Sequence, residues 1–188
     1  MQVATEAKTI RVRGGTRLYG RVAIGGAKNA ALPAMAAALL TDEECLLDNV
    51  PVLEDTLVMA DLLRWLGADV EFDQENRRVR ICAANIHRFD APPELVERMR
   101  ASFLVSGPLL SRFGEASSSP PGGCRLGTRP VDVDLRGFRR MGAEITQTDG
   151  GYVMRARRLY GAELYMDYPS HTGTENLLMA ATLARGTT

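Results

Sequence analysis

The sequence predicts an α/β (α+β) fold built from repeated units, each a strand, an apolar helix, a second strand, an amphipathic helix and a closing hairpin. Three observations predict it. Leu63-Arg64-Trp65-Leu66-Gly67-Ala68-Asp69-Val70 is echoed by Phe138-Arg139-Arg140-Met141-Gly142-Ala143-Glu144-Ile145. Each echo reads as a helix stopped by glycine and followed by a strand. Apolar segments rich in small residues recur at 30–40, 101–110 and 176–184, with Leu40, Leu110 and Leu183 in equivalent places, 70 and 73 residues apart. Repeats of this length mark units that bury their faces against one another. The apolar helices therefore belong in a shared interior, with the strands outside.

The first unit runs from about residue 18 to 81. Its closing hairpin ends on Arg78-Val79-Arg80-Ile81. The second runs from about 92 to 156 and closes on Tyr152-Val153-Met154-Arg155. Within it, Ala116-Ser117-Ser118-Ser119-Pro120 predicts a poorly formed strand, because Ser has low strand preference and Pro lacks a ladder donor. The third unit starts near 162 and is truncated at Thr188, just after its first helix, so a longer parent chain is expected. Trp65 lies on an amphipathic helix and is read as core, and Cys45 and Cys82 as structural.

Composition narrows the functional classes. With 45% apolar residues in 188, a sizeable core can form. Basic and acidic residues number 23 each, so net charge gives no sign of nucleic-acid or membrane-surface binding. No apolar run approaches the ~18 residues of a membrane span, and residues 1–13 carry no signal-peptide core. Three scattered cysteines with no CxxC spacing fit a reducing cytoplasm, and two histidines argue against a His-based metal site.

The chemistry concentrates in loops that precede the apolar helices. Pro120-Pro121-Gly122-Gly123-Cys124-Arg125-Leu126-Gly127-Thr128-Arg129-Pro130 sets one thiol on a Gly-Gly turn beside two arginines. Glycines permit close backbone approach, and nearby cations favour thiolate. Ile24-Gly25-Gly26-Ala27-Lys28-Asn29 leads into a helix start, where free N–H groups suit anions. Lys28 opposes the helix dipole there, which favours a functional role over a decorative one. Arg98 and Arg100 open the corresponding helix of the second unit. Together with Lys28 and Arg129 they make a candidate clamp for carboxylate and phosphate groups. The third unit opens on Asp167-Tyr168-Pro169-Ser170-His171-Thr172-Gly173-Thr174-Glu175-Asn176, a polar loop placed at the same end, with Ser170 and Thr172 as helix caps or ligand contacts. Asp132 and Asp134 would share a face if their segment were a strand, but no third metal ligand accompanies them.

Four motifs carry a resemblance. They are Gly26-Ala27-Lys28-Asn29-Ala30-Ala31-Leu32-Pro33, Met99-Arg100-Ala101-Ser102, Pro121-Gly122-Gly123-Cys124 and Gly127-Thr128-Arg129-Pro130-Val131-Asp132. Over nearly its whole length the chain resembles the N-terminal half of the UDP-N-acetylglucosamine enolpyruvyl transferases. The resemblance implies an inside-out α/β barrel over 18–188, with 1–17 as a strand region that packs on a second, C-terminal domain. It implies transfer of the enolpyruvyl group of phosphoenolpyruvate to the 3-hydroxyl of UDP-N-acetylglucosamine, without a cofactor, in cytoplasmic peptidoglycan synthesis. By the same resemblance Cys124 and Lys28 are catalytic. Lys28, Asn29, Arg100, Arg129, Pro130, Val131, Asp132, Val133, Tyr168, Pro169, Ser170 and His171 hold substrate. Two alternatives remain open at this point: a shikimate-type enolpyruvyl transferase and a catalytically dead nucleotide-sugar-binding remnant.

Overall fold

The computed structural model describes residues 9–119 and 131–188. The first unit holds α1 (Lys28–Ala37), extended by a 3-10 turn (Ala38–Leu40), then β1 (Glu44–Leu47), α2 (Glu54–Leu66) and the hairpin β2 (Asp69–Asp73) and β3 (Arg78–Cys82). The second holds β4 (Asp90–Ala91), α3 (Pro93–Arg98) and a 3-10 helix (Arg100–Val105) that runs into α4 (Ser106–Phe113). It continues with β5 (Glu115–Ser118), α5 (Asp132–Arg140) and the hairpin β6 (Glu144–Thr148) and β7 (Gly151–Arg155). The third contributes α6 (His171–Thr182).

The echoed motif behaves as its glycines require. Gly67 at φ 108° and Gly142 at φ 97° adopt the left-handed conformation that ends α2 and α5. In both, the next amide closes the helix: Ala68 N–H donates to Leu63 O at 3.0 Å and Ala143 N–H to Phe138 O at 2.9 Å. The strands form two sheets, ordered β1-β3-β2 and β4-β5-β7-β6, antiparallel except for β4 beside β5. Among the described residues neither sheet closes on itself.

The interior is helical. Packing of α4 on α6, α1 on α2 and α5 on α6 buries Met35, Leu39, Leu110, Phe138 and Ala180 completely. Each buried large side chain contributes about 2 kcal/mol. Close approach of α4 to α6 depends on Gly107, where a Cβ would lie 2.4 Å from Asn176 O. The two units are tied by Arg112, whose Nη1 donates to Leu39 O, Thr41 O and Ala83 O at 2.9, 2.9 and 3.0 Å.

Several expectations are corrected. No strand forms at residue 18; residues 9–27 make no ladder, and Leu18, Tyr19, Val22 and Ile24 are exposed. An extended arm without a partner strand has nothing to close its backbone hydrogen bonds. The third unit has no opening strand, only an isolated bridge between Tyr160 and Arg185. Its helix starts five residues earlier than the apolar pattern suggests, at His171, and ends before the exposed Leu183. The Ser-rich stretch does form a strand. β5 lies between β4 and β7, and its small Ala116 and Ser118 pack inward, so ladder pairing overrides local preference. Asp132 and Asp134 lie on a helix, not a strand, and their environments differ. Trp65 is 39% exposed; its Nε1–H donates to Asp90 O at 3.0 Å and the Arg88 guanidinium stacks 4.0 Å from its ring.

Candidate active site

Lys28 is the first residue of α1, and the turn before it is fixed by packing. Gly26 N–H donates to Asn49 Oδ1 at 3.0 Å, and a Cβ on Gly26 would lie 1.7 Å from Asn49 O. Only glycine fits, so at least half of the Gly-Gly turn has a structural reason. Asn49 itself holds the left-handed conformation at φ 57°. Lys28 Nζ lies 2.6 Å from Asp55 Oδ2 in the first turn of α2, and both side chains are partly exposed. Such pairs are worth about 0.2–1 kcal/mol, so an anionic ligand can draw the ammonium away at small cost. Asn29 follows, exposed.

Glu54, the first residue of α2, meets Arg98 at 3.3 Å. Two residues later Arg100 opens the 3-10 helix. Its Nη1 is shielded from solvent, and it lines one small cavity with Val131 and Asp134 of the α5 start and Thr172 and Asn176 of α6. The starts of α1, α2, the 3-10 helix, α5 and α6 thus gather at one end of the molecule. Helix starts present free N–H groups and partial positive charge. Gathered with Lys28, Arg98 and Arg100, they form a face suited to a multiply charged anion. Glu54, Asp55, Asp132 and Asp134 share that end and offset its charge.

Beneath this face lies a buried polar junction. Asn176 Oδ1 accepts from Gly107 N at 2.8 Å, while its Nδ2 donates to Phe103 O at 3.1 Å and to Asp134 Oδ1 at 2.8 Å. Asp134 is 5% exposed. Burial pushes its carboxyl pKa up, opposed by the Asn176 bond, a backbone bond and the charge of Arg100.

The remaining site residues fall into two groups. Tyr168 Oη donates to Asp132 Oδ1 at 2.5 Å, which pushes the phenol pKa up. Arg136 bridges Asp132, at 3.0 Å, and Asp167. Ser170 is the cap of α6: its Oγ accepts from Gly173 N at 3.1 Å. Pro169 and His171 are exposed beside it. Val131 and Val133 are buried. Cys124, Arg129 and Pro130 lie outside the described residues. Asp55 was missed as part of this end, and Asp134 was read only as one of a strand pair, whereas Asn176 closes the polar loop assigned to this end. Glu54-Asp55 does show the acid-led signature of a helix start, but no local signal names its partner.

Helices inside, strands outside and helix starts converging at one end make up a fold of the enolpyruvyl transferase type. It matches the enolpyruvyl transferase NikO from Streptomyces tendae with a TM-score of 0.74 at 26% identity, covering 92% of this chain and 41% of that one. It matches EPSP synthase from Acinetobacter baumannii with a TM-score of 0.68 at 20% identity, covering 89% and 39%. The chain belongs to the EPSP synthase (3-phosphoshikimate 1-carboxyvinyltransferase) family, whose sequence profile matches residues 12–188. Its relatives include a UDP-N-acetylglucosamine 1-carboxyvinyltransferase of Sorangium cellulosum, 52% identical over 180 residues, and one of Halorhodospira halophila, 52% identical over 177. These alignments take in 96% and 94% of this chain and 42% of each relative. The chain therefore spans about two-fifths of the length of the curated relatives it matches. Among the described residues no helix is long and apolar enough to cross a membrane.

Proposed function

We propose that this chain supplies one wall of a site that transfers the enolpyruvyl group of phosphoenolpyruvate to the 3-hydroxyl of UDP-N-acetylglucosamine, releasing phosphate. The observation that carries the reading is the convergence of helix starts with Lys28 and Arg100 at one end. The names of the relatives give the substrates. Cys124 delivers a proton to the methylene carbon of phosphoenolpyruvate, the 3-hydroxyl oxygen bonds to its C2, and loss of phosphate with a proton from the new methyl group restores the double bond. Lys28 neutralises charge on the phosphoenolpyruvate, where fixed cations act most strongly in a site with little water. Arg100 and Arg129 hold substrate anions, with Asn29 beside them. The segment Pro130 to Val133 and the stretch Tyr168 to His171 face the nucleotide sugar.

In this reading residues 18–188 belong to an inside-out barrel whose remaining elements lie in a longer chain, and 1–17 pack on a second domain. The exposed apolar side chains of Ile10, Val12, Leu18, Val22 and Ile24 support a missing partner. The setting is cytoplasmic peptidoglycan synthesis. A carboxylate of the second domain removes the proton of the sugar hydroxyl, so the 188-residue chain alone binds ligand without turnover. Phosphate release by this chain from the two substrates would overturn that point. The site is tested by fosfomycin labelling and mass spectrometry. Cys124 reacts first, because burial pushes the Cys45 thiol pKa up and depletes its thiolate. Equal labelling of Cys45, Cys82 and Cys124 would count against the site, and calorimetric preference for shikimate 3-phosphate would move it to the sister enzyme.

A further inference from the structure

We propose that Arg136 is a positioning residue: it grips Asp132 and Asp167 at once, clasping the stretch before α6 to the start of α5 and so setting the spacing of the two segments that face the nucleotide sugar. This rests on the reading of residues 130–133 and 168–171 as those segments.

The contacts are direct. Arg136 Nη2 donates to Asp132 Oδ2 at 3.0 Å, one turn earlier on α5, and Arg136 Nη1 meets Asp167 Oδ2. The other carboxylate oxygen of Asp132 accepts from Tyr168 Oη at 2.5 Å. The guanidinium thus uses both terminal nitrogens, and Asp132 both oxygens, to tie two consecutive residues of the stretch to one turn of α5. A planar fork suits this task, because it reaches two carboxylates in fixed directions. Without the cation the two carboxylates would repel. Other ties are few. Among the described residues 162–168 form no strand and no backbone hydrogen bond. Leu164 and Met166 pack partly on the core, and Met166 Sδ accepts from Thr174 Oγ1 at 3.6 Å. A cavity of about 340 Å³, lined from α5 by Val133 and Arg136 and from the stretch by Leu164 and Asp167, leaves the joint loosely packed. One exposed ion pair contributes little, but several charges in a network contribute more. The first unit makes the corresponding joint with an indole: Trp65 of α2 donates its Nε1–H to Asp90 O at the opening of the second unit.

Asp167→Asn tests the clasp by sign. It removes a negative charge beside an anionic ligand, so charge alone would tighten binding, whereas a loosened clasp weakens it. In the 188-residue chain, calorimetric affinity for UDP-N-acetylglucosamine is expected to fall about threefold in Asp167→Asn and about fivefold in Arg136→Gln, the scale of partly exposed pairs. The double variant is expected to bind no more weakly than Arg136→Gln, because both act through one contact. Arg136→Lys keeps the charge but reaches one carboxylate at a time, and is expected to stay close to Arg136→Gln. In the ligand-free chain, ¹⁵N relaxation is expected to show the amides of 164–168 gaining mobility in Asp167→Asn and Arg136→Gln, with those of α5 and α6 unchanged. Tighter binding by Asp167→Asn overturns the proposal, because Arg136 would then meet the ligand itself. Full recovery by Arg136→Lys overturns it too, since charge without the fork would suffice. Unchanged affinity or unchanged mobility makes the ion pairs incidental and has the same consequence. If the amides of 168–171 do not shift when UDP-N-acetylglucosamine is added to the unsubstituted chain, the reading of that segment as a nucleotide-sugar wall fails, and the relaxation data still judge whether Arg136 holds it. The three substituted forms change exposed side chains only, so the core is left intact.

Discussion

The first and second units follow one plan and differ in how their helix starts are held. In the first, Lys28 meets Asp55 at the surface, and the arm before it is exposed. In the second, Arg100 sits over a buried junction of Asp134, Asn176 and Gly107 that reaches into the third unit. Corresponding positions in the repeat have thus diverged into one cation paired at the surface and one lining a buried cavity. The difference lies in neighbours, not in the helices themselves, since the second start packs against α6 beside the start of α5 while the first faces solvent.

The largest effects should separate the two by backbone clash. A Cβ at Gly107 would lie 2.4 Å from Asn176 O, in the centre of the helix packing. Gly107→Ala is expected to cost about 3 kcal/mol in urea unfolding, because neither α4 nor α6 can shift without opening the core. Gly26→Ala faces an even closer clash, 1.7 Å from Asn49 O. The chain before it is exposed and can move, so the expected cost is nearer 1 kcal/mol, with weakened phosphoenolpyruvate binding as Lys28 is displaced. Equal costs would break the distinction between an open and a locked start.

Arg112 tests whether the units are one cooperative body. Its three carbonyl bonds span from α4 to the end of the first-unit helix and to Ala83. Arg112→Ala leaves those acceptors without their charged donor and should cost about 2 kcal/mol. Loss of a single unfolding transition in calorimetry would show that this side chain couples the units; a single transition at lower temperature would assign the coupling to the helix interior.

Much of this architecture was legible because repeats advertise themselves. The paired Leu-Gly-Ala and Met-Gly-Ala helix ends gave both hairpins, since a glycine at φ near 100° is a local requirement that sequence displays. The strand at Ala116–Ser118 was obscured because its stability comes from β4 and β7, which are remote in sequence. The start of α6 was missed because Thr172 and Thr174 interrupt the apolar pattern, although Ser170 was available as a cap. At the site, Lys28 and Arg100 stood out by their place before apolar helices. Asp134 did not, because its alternation with Asp132 reads as one face of a strand until Asn176, some forty residues away, is known to meet it.

Two aspartates extend the comparison to pH. Exposed Asp73, in the first-unit hairpin, has its pKa lowered by bonds from Asn76. Its contribution to stability is present above the ordinary value of 3.8 and is lost as pH falls through its folded pKa. Buried Asp134 is raised above the same ordinary value. The folded state then holds the proton more tightly than the unfolded one, so stability from this group is greatest below 3.8 and declines as pH rises through its folded pKa. In Asp134→Asn that decline should disappear, while Asp73→Asn should remove the opposite slope. Melting temperatures measured across acid to neutral pH would check both. An unchanged profile in Asp134→Asn would mean that Arg100 compensates the buried charge almost fully.

The smallest effect concerns Ser102, one helical step beyond Arg100. It is fully buried, and its Oγ has no hydrogen-bond partner among the described residues. A buried hydroxyl without a partner carries its desolvation penalty uncompensated, about 1–3 kcal/mol less whatever relaxation offsets it. Ser102→Ala removes the oxygen and leaves a void too small to matter, so the variant should gain up to about 1 kcal/mol. The first unit offers a control in Thr56, equally buried, whose Oγ1 accepts from Leu53 N at 3.1 Å and donates to Pro51 O at 2.7 Å. Thr56→Val should destabilise where Ser102→Ala stabilises, since one hydroxyl closes a helix start and the other meets no partner among the described residues. If Ser102→Ala instead loses stability or weakens substrate binding, its hydroxyl faces a group at the site, and the second helix start is wetter than its buried junction implies.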